Sequence, residues 1–173
     1  MAVLERILAR ATGAAVAAVV LAPALATAAD QPTLAGTFND WAAYSYKGAN
    51  GLVCYIVSQP KKSDPKVSKR DPVFFLVTHR PGDKVRNEVN TIIGYPFKKD
   101  SVAKLTIDNT DFSLFTKGDG AWSDSKDAAI VAAMKKGHSM SIKGSSQRGA
   151  STTDTYSLAG VQAAMDKIDS LCK

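Results

Sequence analysis

The sequence has few of the residues from which catalytic and metal sites are built. Its 173 residues include only two histidines and two cysteines. The cysteines are far apart, so there is no Cys-x-x-Cys pair of the kind found in redox motifs and zinc sites. Two histidines, His79 and His138, are also a thin supply for a Ser-His-Asp arrangement, and we expect both to be structural. The sequence therefore predicts no catalytic residues, no cofactor and no metal site, and we expect a protein that is not an enzyme.

Long apolar runs are missing as well, except near the N-terminus. There, Arg6 and Arg10 precede an apolar run at residues 11–25, which leads into Ala-Thr-Ala-Ala. This order is typical of a cleaved signal peptide. We expect residues 1–29 to be removed, and residues 30–173 to form one exported domain in the periplasm or outside the cell. No later run reaches the length of about 18 apolar residues that a transmembrane helix needs, so the mature chain is predicted to lack a membrane span.

Positive charge is in excess, with 22 Lys+Arg against 16 Asp+Glu. Part of it lies in a proline-punctuated stretch, residues 60–72, which we predict to be a loop. A basic exported protein attracts anionic envelope components, so the loop is a candidate patch for an anionic partner. The alternative is a solvated loop that only keeps the protein soluble. Nucleic acid is not expected as a partner, because export separates the protein from it and no binding motif is present. The candidate patch consists of Lys61, Lys62, Lys66, Lys69 and Arg70.

The two cysteines, Cys54 and Cys172, predict a disulfide bond. An even number of cysteines in an exported chain points to pairing in an oxidising compartment. Cys54 lies in a β-branched run, residues 52–57, and Cys172 lies on the apolar stripe of the last predicted helix. The bond would therefore tie that helix to a sheet. The alternative is two free, buried thiols.

Short β-branched and aromatic runs, spaced 10–15 residues apart, predict a mainly β protein. We expect an antiparallel β-sandwich or barrel-like domain of about seven to nine short strands. Residues 30–36 are predicted to be a flexible leader, and residues 72–78 a strand buried on both faces. Asp108–Asp111 predicts a hairpin turn.

Two helices are predicted in the C-terminal half. The first is expected to be capped by Ser125 and to stop at Gly137. The second is expected to run from Ser157 almost to the end of the chain, with apolar residues spaced by three and four. Four aromatic residues either fill the core, which we favour, or stack on a sugar or peptide. These aromatics are Trp41, Trp122, Tyr95 and Phe97.

Four short motifs, in this order, resemble the invasion-associated locus B family of exported Gram-negative bacterial proteins. They are Phe38-x-Asp40-Trp41, Val53-Cys54-Tyr55 followed by Ser58-Gln59, Met134-Lys135-Lys136-Gly137, and Tyr156-Ser157-Leu158-x-Gly160. Many relatives have a cysteine soon after the tryptophan and another before the first helix. This chain has neither, so their disulfide pairing does not transfer to it.

The resemblance implies a periplasmic or surface-associated β-rich domain, in a family named for a role in host-cell invasion. It brings no set of catalytic residues. We therefore expect a non-enzymatic exported protein that binds another protein or an envelope component. The alternatives are a carbohydrate-binding module and a hydrolase with an unrecognised site. The sequence identifies neither the partner nor the oligomeric state.

Overall fold

The structure is a computed structural model that describes residues 31–173. The expected signal peptide, residues 1–29, lies outside the described residues. Within residues 31–173, no helix is long and apolar enough to cross a membrane.

The described residues form eleven strands and two α-helices, so the strand count is higher than the seven to nine predicted. The strands are β1 (Thr33–Phe38), β2 (Trp41–Gly48), β3 (Gly51–Ser58), β4 (Lys62–Asp64), β5 (Phe74–Arg80), β6 (Val85–Ile92), β7 (Val102–Ile107), β8 (Thr110–Lys117), β9 (Gly120–Ser123), β10 (Ser139–Ser145) and β11 (Ser151–Ser157). The helices are α1 (Asp127–Lys136) and α2 (Val161–Leu171).

All eleven strands belong to one antiparallel sheet, which confirms the predicted fold class. Their order is β1-β2-β3-β5-β6-β9-β8-β7-β10-β11-β4, and the sheet is not closed into a barrel. The sheet folds over on itself, so that strands distant in the sheet order meet across the core. The ring of Phe75 in β5 contacts that of Tyr156 in β11, with 5.9 Å between centroids. Trp41 Nε1 also donates a hydrogen bond to the Ser157 carbonyl oxygen, which joins β2 to the end of β11. One face of the sheet thus encloses the core, and the other faces solvent.

Three local expectations about the strands are wrong. The expected flexible leader at residues 30–36 includes the first four residues of β1, which pairs with β2, and the expected loop at residues 60–72 contains β4, which pairs with β11. In β5, only alternate side chains are buried. Phe75 and Val77 are fully buried, whereas Phe74 and Leu76 are half-buried, so this strand is covered on one face and not on two. The predicted hairpin turn at 108–111 is correct, since β7 and β8 pair across it.

Both helices pack against the inner face of the sheet. Ile130, Met134 and Ile168 belong to the same buried core as the inward-facing strand residues. Helix α1 ends at Gly137 as predicted, and the Gly137 N–H donates to the Ala133 carbonyl oxygen.

The helix starts differ from the prediction. Ser125 adopts a positive φ of 60° and does not cap α1, whose first residues have no side-chain cap. Helix α2 begins at Val161 and not at Ser157, because Ser157 still pairs with Ser139 in the sheet. Gly160, at a φ of 93°, then turns the chain into the helix.

Candidate functional site

A row of paired side chains crosses the outer face of the sheet. Directly paired residues of antiparallel strands point to the same face, so the strand registers place one residue from each of seven neighbouring strands in a line. Six of the seven are apolar, and Asn90 is the exception. The row, called the outer row below, runs through Ala42, Val57, Leu76, Asn90, Trp122, Phe115 and Val102.

Aromatic rings lie beside one end of the outer row and within the row near its other end. Tyr44 and Tyr55 lie two residues from Ala42 and Val57, on the same face of β2 and β3, and their rings stack with centroids 5.4 Å apart. Tyr46 meets Tyr55 edge-on, with 6.4 Å between centroids. Burial raises the pKa of the Tyr55 hydroxyl, so this side chain stays uncharged at neutral pH. At the other end, Phe115 and Trp122 stack at 5.9 Å.

The outer row is most open to solvent at its β8–β7 end, and its other five residues are partly exposed. Phe115 is 49% exposed and Val102 is 65% exposed. The buried residues of both helices belong to the core on the inner side, so within residues 31–173 no helix covers the outer row. Monomeric soluble proteins rarely leave a contiguous apolar surface uncovered unless it binds something. The outer row is therefore the candidate functional site.

A groove of about 540 Å³ opens at the β2 end of the outer row. Its floor is apolar and includes Tyr44, Val57 and Phe74, and its rim is polar and includes Asn39 and Gln59. The rim also carries Lys61 paired with Asp40. Hydrogen bonds from Lys61 and Ser157 hold the pKa of the Asp40 carboxyl below its usual range. An apolar floor with a hydrogen-bonding, charge-balanced rim suits an extended peptide or a sugar ring.

The five basic residues predicted as one patch do not form a single free cationic surface. Lys61 is paired with Asp40, and Lys62 Nζ lies 3.7 Å from the carboxylate of Asp64. Lys66 and Lys69 are exposed and make no ion pair with any described residue.

The Arg70 side chain is largely buried and is held in place by an ion pair. It is 7% exposed and makes a bidentate ion pair with the fully buried Asp154, with 2.8 Å between Nη1 and Oδ1. Arg70 Nε donates to the Ile93 carbonyl oxygen, and Ser63 Oγ donates to Asp154. A buried charge needs such partners, because removing it from water is costly.

The disulfide bond joins Cys54 in β3 to Cys172 just after α2. Their Cα atoms are 6.0 Å apart, and both residues are at most 1% exposed. The bond fastens the end of α2 to the third strand of the sheet.

Each histidine has a structural partner. His79 is fully buried, and its Nδ1 accepts a hydrogen bond from the Asn87 N–H. Nε2 therefore carries the ring proton and donates to Asp169 Oδ1 at 3.0 Å. His138 is exposed, with Nδ1 3.8 Å from the carboxylate of Asp108. No cluster of three metal-binding side chains occurs in the part of the chain that the structure describes.

Asp169 links α2 to three other elements. Besides His79 in β5, it meets Arg86 in β6 at 2.6 Å and Lys135 in α1 at 3.6 Å. Burial opposes ionisation of this carboxyl, but the hydrogen bond from His79 and the charges of Lys135 and Arg86 hold its pKa below the usual range. This cluster stabilises the packing of α2.

The four aromatics considered from the sequence divide between core and surface. Trp41 and Phe97 are buried in the core, and Tyr95 is half-buried beneath the guanidinium of Arg70, whose Cζ lies 5.0 Å from the ring centroid. Of these four aromatics, only Trp122 lies in the outer row.

Four other aromatic residues on the outer face were not identified from the sequence. They are Tyr44, Tyr46, Tyr55 and Phe115. The alternation of aromatic and small or buried residues along β2 and β3 is the signal that would have revealed most of them.

The comparisons with known proteins agree with the fold. A family model described as "Invasion associated locus B (IalB) protein" matches residues 41–169. No curated protein matches the chain. Among solved structures, the crystal structure of invasion associated protein B from Bartonella henselae is similar with a TM-score of 0.55 and 16% sequence identity. The match covers 79% of this chain and 96% of that one, and at this identity it shows a shared fold.

Proposed function

The chain belongs to the invasion associated locus B family, and from that premise we propose that it is an exported, non-enzymatic protein that binds a protein partner through the outer row. The uncovered apolar row across seven strands carries this proposal. The family name and the fold shared with the Bartonella protein support a role that aids host-cell invasion from the periplasm or the cell surface.

The dimensions of the outer row fit a protein partner. Six spacings of about 4.8 Å between neighbouring strands give a row roughly 29 Å long. A standard protein interface buries about 800 Å² per partner, so the outer row and the tyrosines beside it would form the apolar centre of such an interface and not the whole of it. Tyrosine, tryptophan and phenylalanine are also the side chains enriched at interface cores.

The test is a pull-down from envelope fractions with the mature domain and a variant carrying Tyr44→Ser and Phe115→Ser. We expect wild type to retain a defined partner and the variant to lose it, because both substitutions remove aromatic surface from the outer face, at the half-buried Tyr44 and the exposed Phe115, without opening a core cavity. Leu171→Ser is the matched control, since Leu171 is also an exposed apolar residue, at 37%, but lies on α2. Equal capture of the partner by all three proteins would contradict the proposal.

Export rests on the signal-peptide pattern, and the disulfide supports it. We expect the mature protein to be a single domain beginning near Ala29 or Asp30. N-terminal sequencing of protein recovered from the periplasm checks this. Recovery of intact protein from the cytoplasm, still beginning at Met1, would contradict it.

Carbohydrate binding is the second candidate, favoured by the groove. A sugar ring stacked on Tyr44 would leave its hydroxyls near Asn39 and Gln59 on the rim. Titration of the labelled protein with oligosaccharides, followed by NMR, should shift resonances of β2 and β3 in wild type but not in Tyr44→Ala. If no oligosaccharide shifts these resonances, the groove is not a glycan site.

A further inference from the structure

A second, basic cleft lies away from the outer row, between the β4–β5 loop and the β10–β11 turn. Its volume is about 250 Å³, and none of its lining residues belongs to the outer row. This cleft, called the basic cleft below, is lined by residues that include Lys69, Arg70, Tyr95, Ser146, Gln147 and Arg148.

Arg70 is a fixed hydrogen-bond donor in this cleft. Its guanidinium is held by Asp154, by the Ile93 carbonyl oxygen and by the ring of Tyr95 beneath it. Of the five N–H bonds of an arginine side chain, these contacts use three, so two have no partner among the described residues. A guanidinium held by packing loses little conformational entropy when it binds a ligand.

Two free cations face the cleft from opposite loops. Lys69 and Arg148 are exposed, and neither makes an ion pair with a residue that the structure describes. Asp71 is the one carboxylate among the lining residues, while the charge of Arg70 is matched by Asp154 behind it. Lys66, which lines the adjoining groove together with Arg70, adds a further positive charge. The cleft therefore has an excess of positive charge and spare N–H donors.

We propose that the basic cleft binds a phosphate group, as a soluble phosphate ester or as the headgroup of a phospholipid. A phosphate monoester presents three acceptor oxygens and close to two negative charges, whereas a carboxylate presents two oxygens and one charge. The phosphate can thus accept from Arg70, Lys69 and Arg148 together. The exposed side-chain amide of Gln147 adds an uncharged donor at the same turn. This site is independent of the outer row, so failure of one proposal does not affect the other.

Calorimetric titration with glycerol 3-phosphate tests a soluble ester. Sedimentation with phosphatidylcholine vesicles, with and without phosphatidic acid, tests a lipid headgroup. The variant carries Lys69→Gln and Arg148→Gln, which leaves the Arg70–Asp154 pair and hence the core intact. The control carries Lys117→Gln and Lys136→Gln, the same change of net charge at exposed lysines outside the cleft.

Wild type and the control should bind at least one probe, and the cleft variant should bind about tenfold or more weakly, because two charge-assisted contacts are lost. Binding of the ester identifies a soluble source, and binding of phosphatidic acid vesicles alone identifies a lipid source. The proposal is overturned if neither probe binds wild type, or if the control loses as much affinity as the cleft variant. In the latter case, net charge and not the cleft would account for binding.

Discussion

Breaking the bond between Cys54 and Cys172 should remove a large share of the stability of the domain. The bond closes a segment with a sequence separation of 118 residues. In the chain-entropy model, closing a loop of that length restricts the unfolded chain by about 5 kcal/mol at 25 °C. Measured losses for native disulfides are about 2–5 kcal/mol, against a typical total stability of about 5–15 kcal/mol.

Urea unfolding of wild type, Cys54→Ala, Cys172→Ala and the double variant measures this loss. The three variants should lose similar free energies of unfolding, since either substitution alone breaks the same bond. A domain of this size loses roughly 3–4 °C in melting temperature per kcal/mol, so each variant should melt at least about 6 °C below wild type. Adding a thiol reductant should destabilise wild type and leave the double variant unchanged, which serves as the control.

Two results would refute this reasoning. The first is two free thiols per chain in denatured, unreduced protein. The second is a double variant that is far less stable than either single variant, which would mean that packing of each thiol, and not the covalent link, stabilises the fold.

The remaining predictions concern the core and the chain turns. Arg70→Met should lower the free energy of unfolding in urea by about 3–5 kcal/mol, because it leaves the Asp154 carboxylate buried without its ion-pair partner. Adding Asp154→Leu should restore part of this loss. A double variant less stable than Arg70→Met would contradict this prediction. The lowered pKa of Asp169 means that its contribution is present above the usual carboxyl range of about pH 4 and is lost as the pH falls through its folded-state value. Asp169→Asn should therefore have a lower free energy of unfolding than wild type at pH 7, and the two values should converge in acid. A difference in free energy of unfolding that does not change with pH would contradict this prediction. In Gly160→Ala, the new Cβ would lie 1.9 Å from the Phe38 carbonyl oxygen, so we expect a loss of about 2 kcal/mol or more in thermal unfolding. Gly149→Ala has a similar φ with nothing within 4 Å of the Cβ and should cost only about 1 kcal/mol; equal losses would show that φ strain alone acts at Gly160.

Local signals predicted several elements correctly because they depend on neighbouring residues. The turn at Asp108 and Asn109 joins β7 to β8, and the Gly137 stop of α1 depends on the last turn of that helix. The strand around Cys54 is likewise a run of β-branched and aromatic residues. Each of these signals lies within a few residues of the element that it specifies.

The missed features depend on partners far away in the sequence. Strand β4 is three polar residues without alternation, and it forms because Thr153–Thr155 in β11 supply its hydrogen bonds. Arg70 was assigned to a surface patch because its neighbours are charged, whereas its ion-pair partner, Asp154, lies 84 residues along the chain. Ser157 looked like a helix start, but pairing with Ser139 keeps it in the sheet.

The outer row was missed for a different reason. Apolar alternation along a strand predicts which residues share a face, but it does not say which face will be covered. In β5, both faces carry apolar residues, which suggested burial on both sides. The registers of seven strands were needed to show that Leu76 and Trp122 lie in one uncovered line.

The position of β4 in the sheet sets an order in time for folding. In the chain, β4 comes between β3 and β5, yet in the sheet it lies at the far edge beside β11. Strands β1, β2 and β3, and β5 and β6, can pair as local hairpins, as can β7, β8 and β9. The Asp64–Thr153 pairing must wait until β11 has been made and placed. A pairing between strands far apart in the sequence forms only after the long loop between them has closed. We therefore expect β4 to dock late, in the step that joins the first half of the chain to the second.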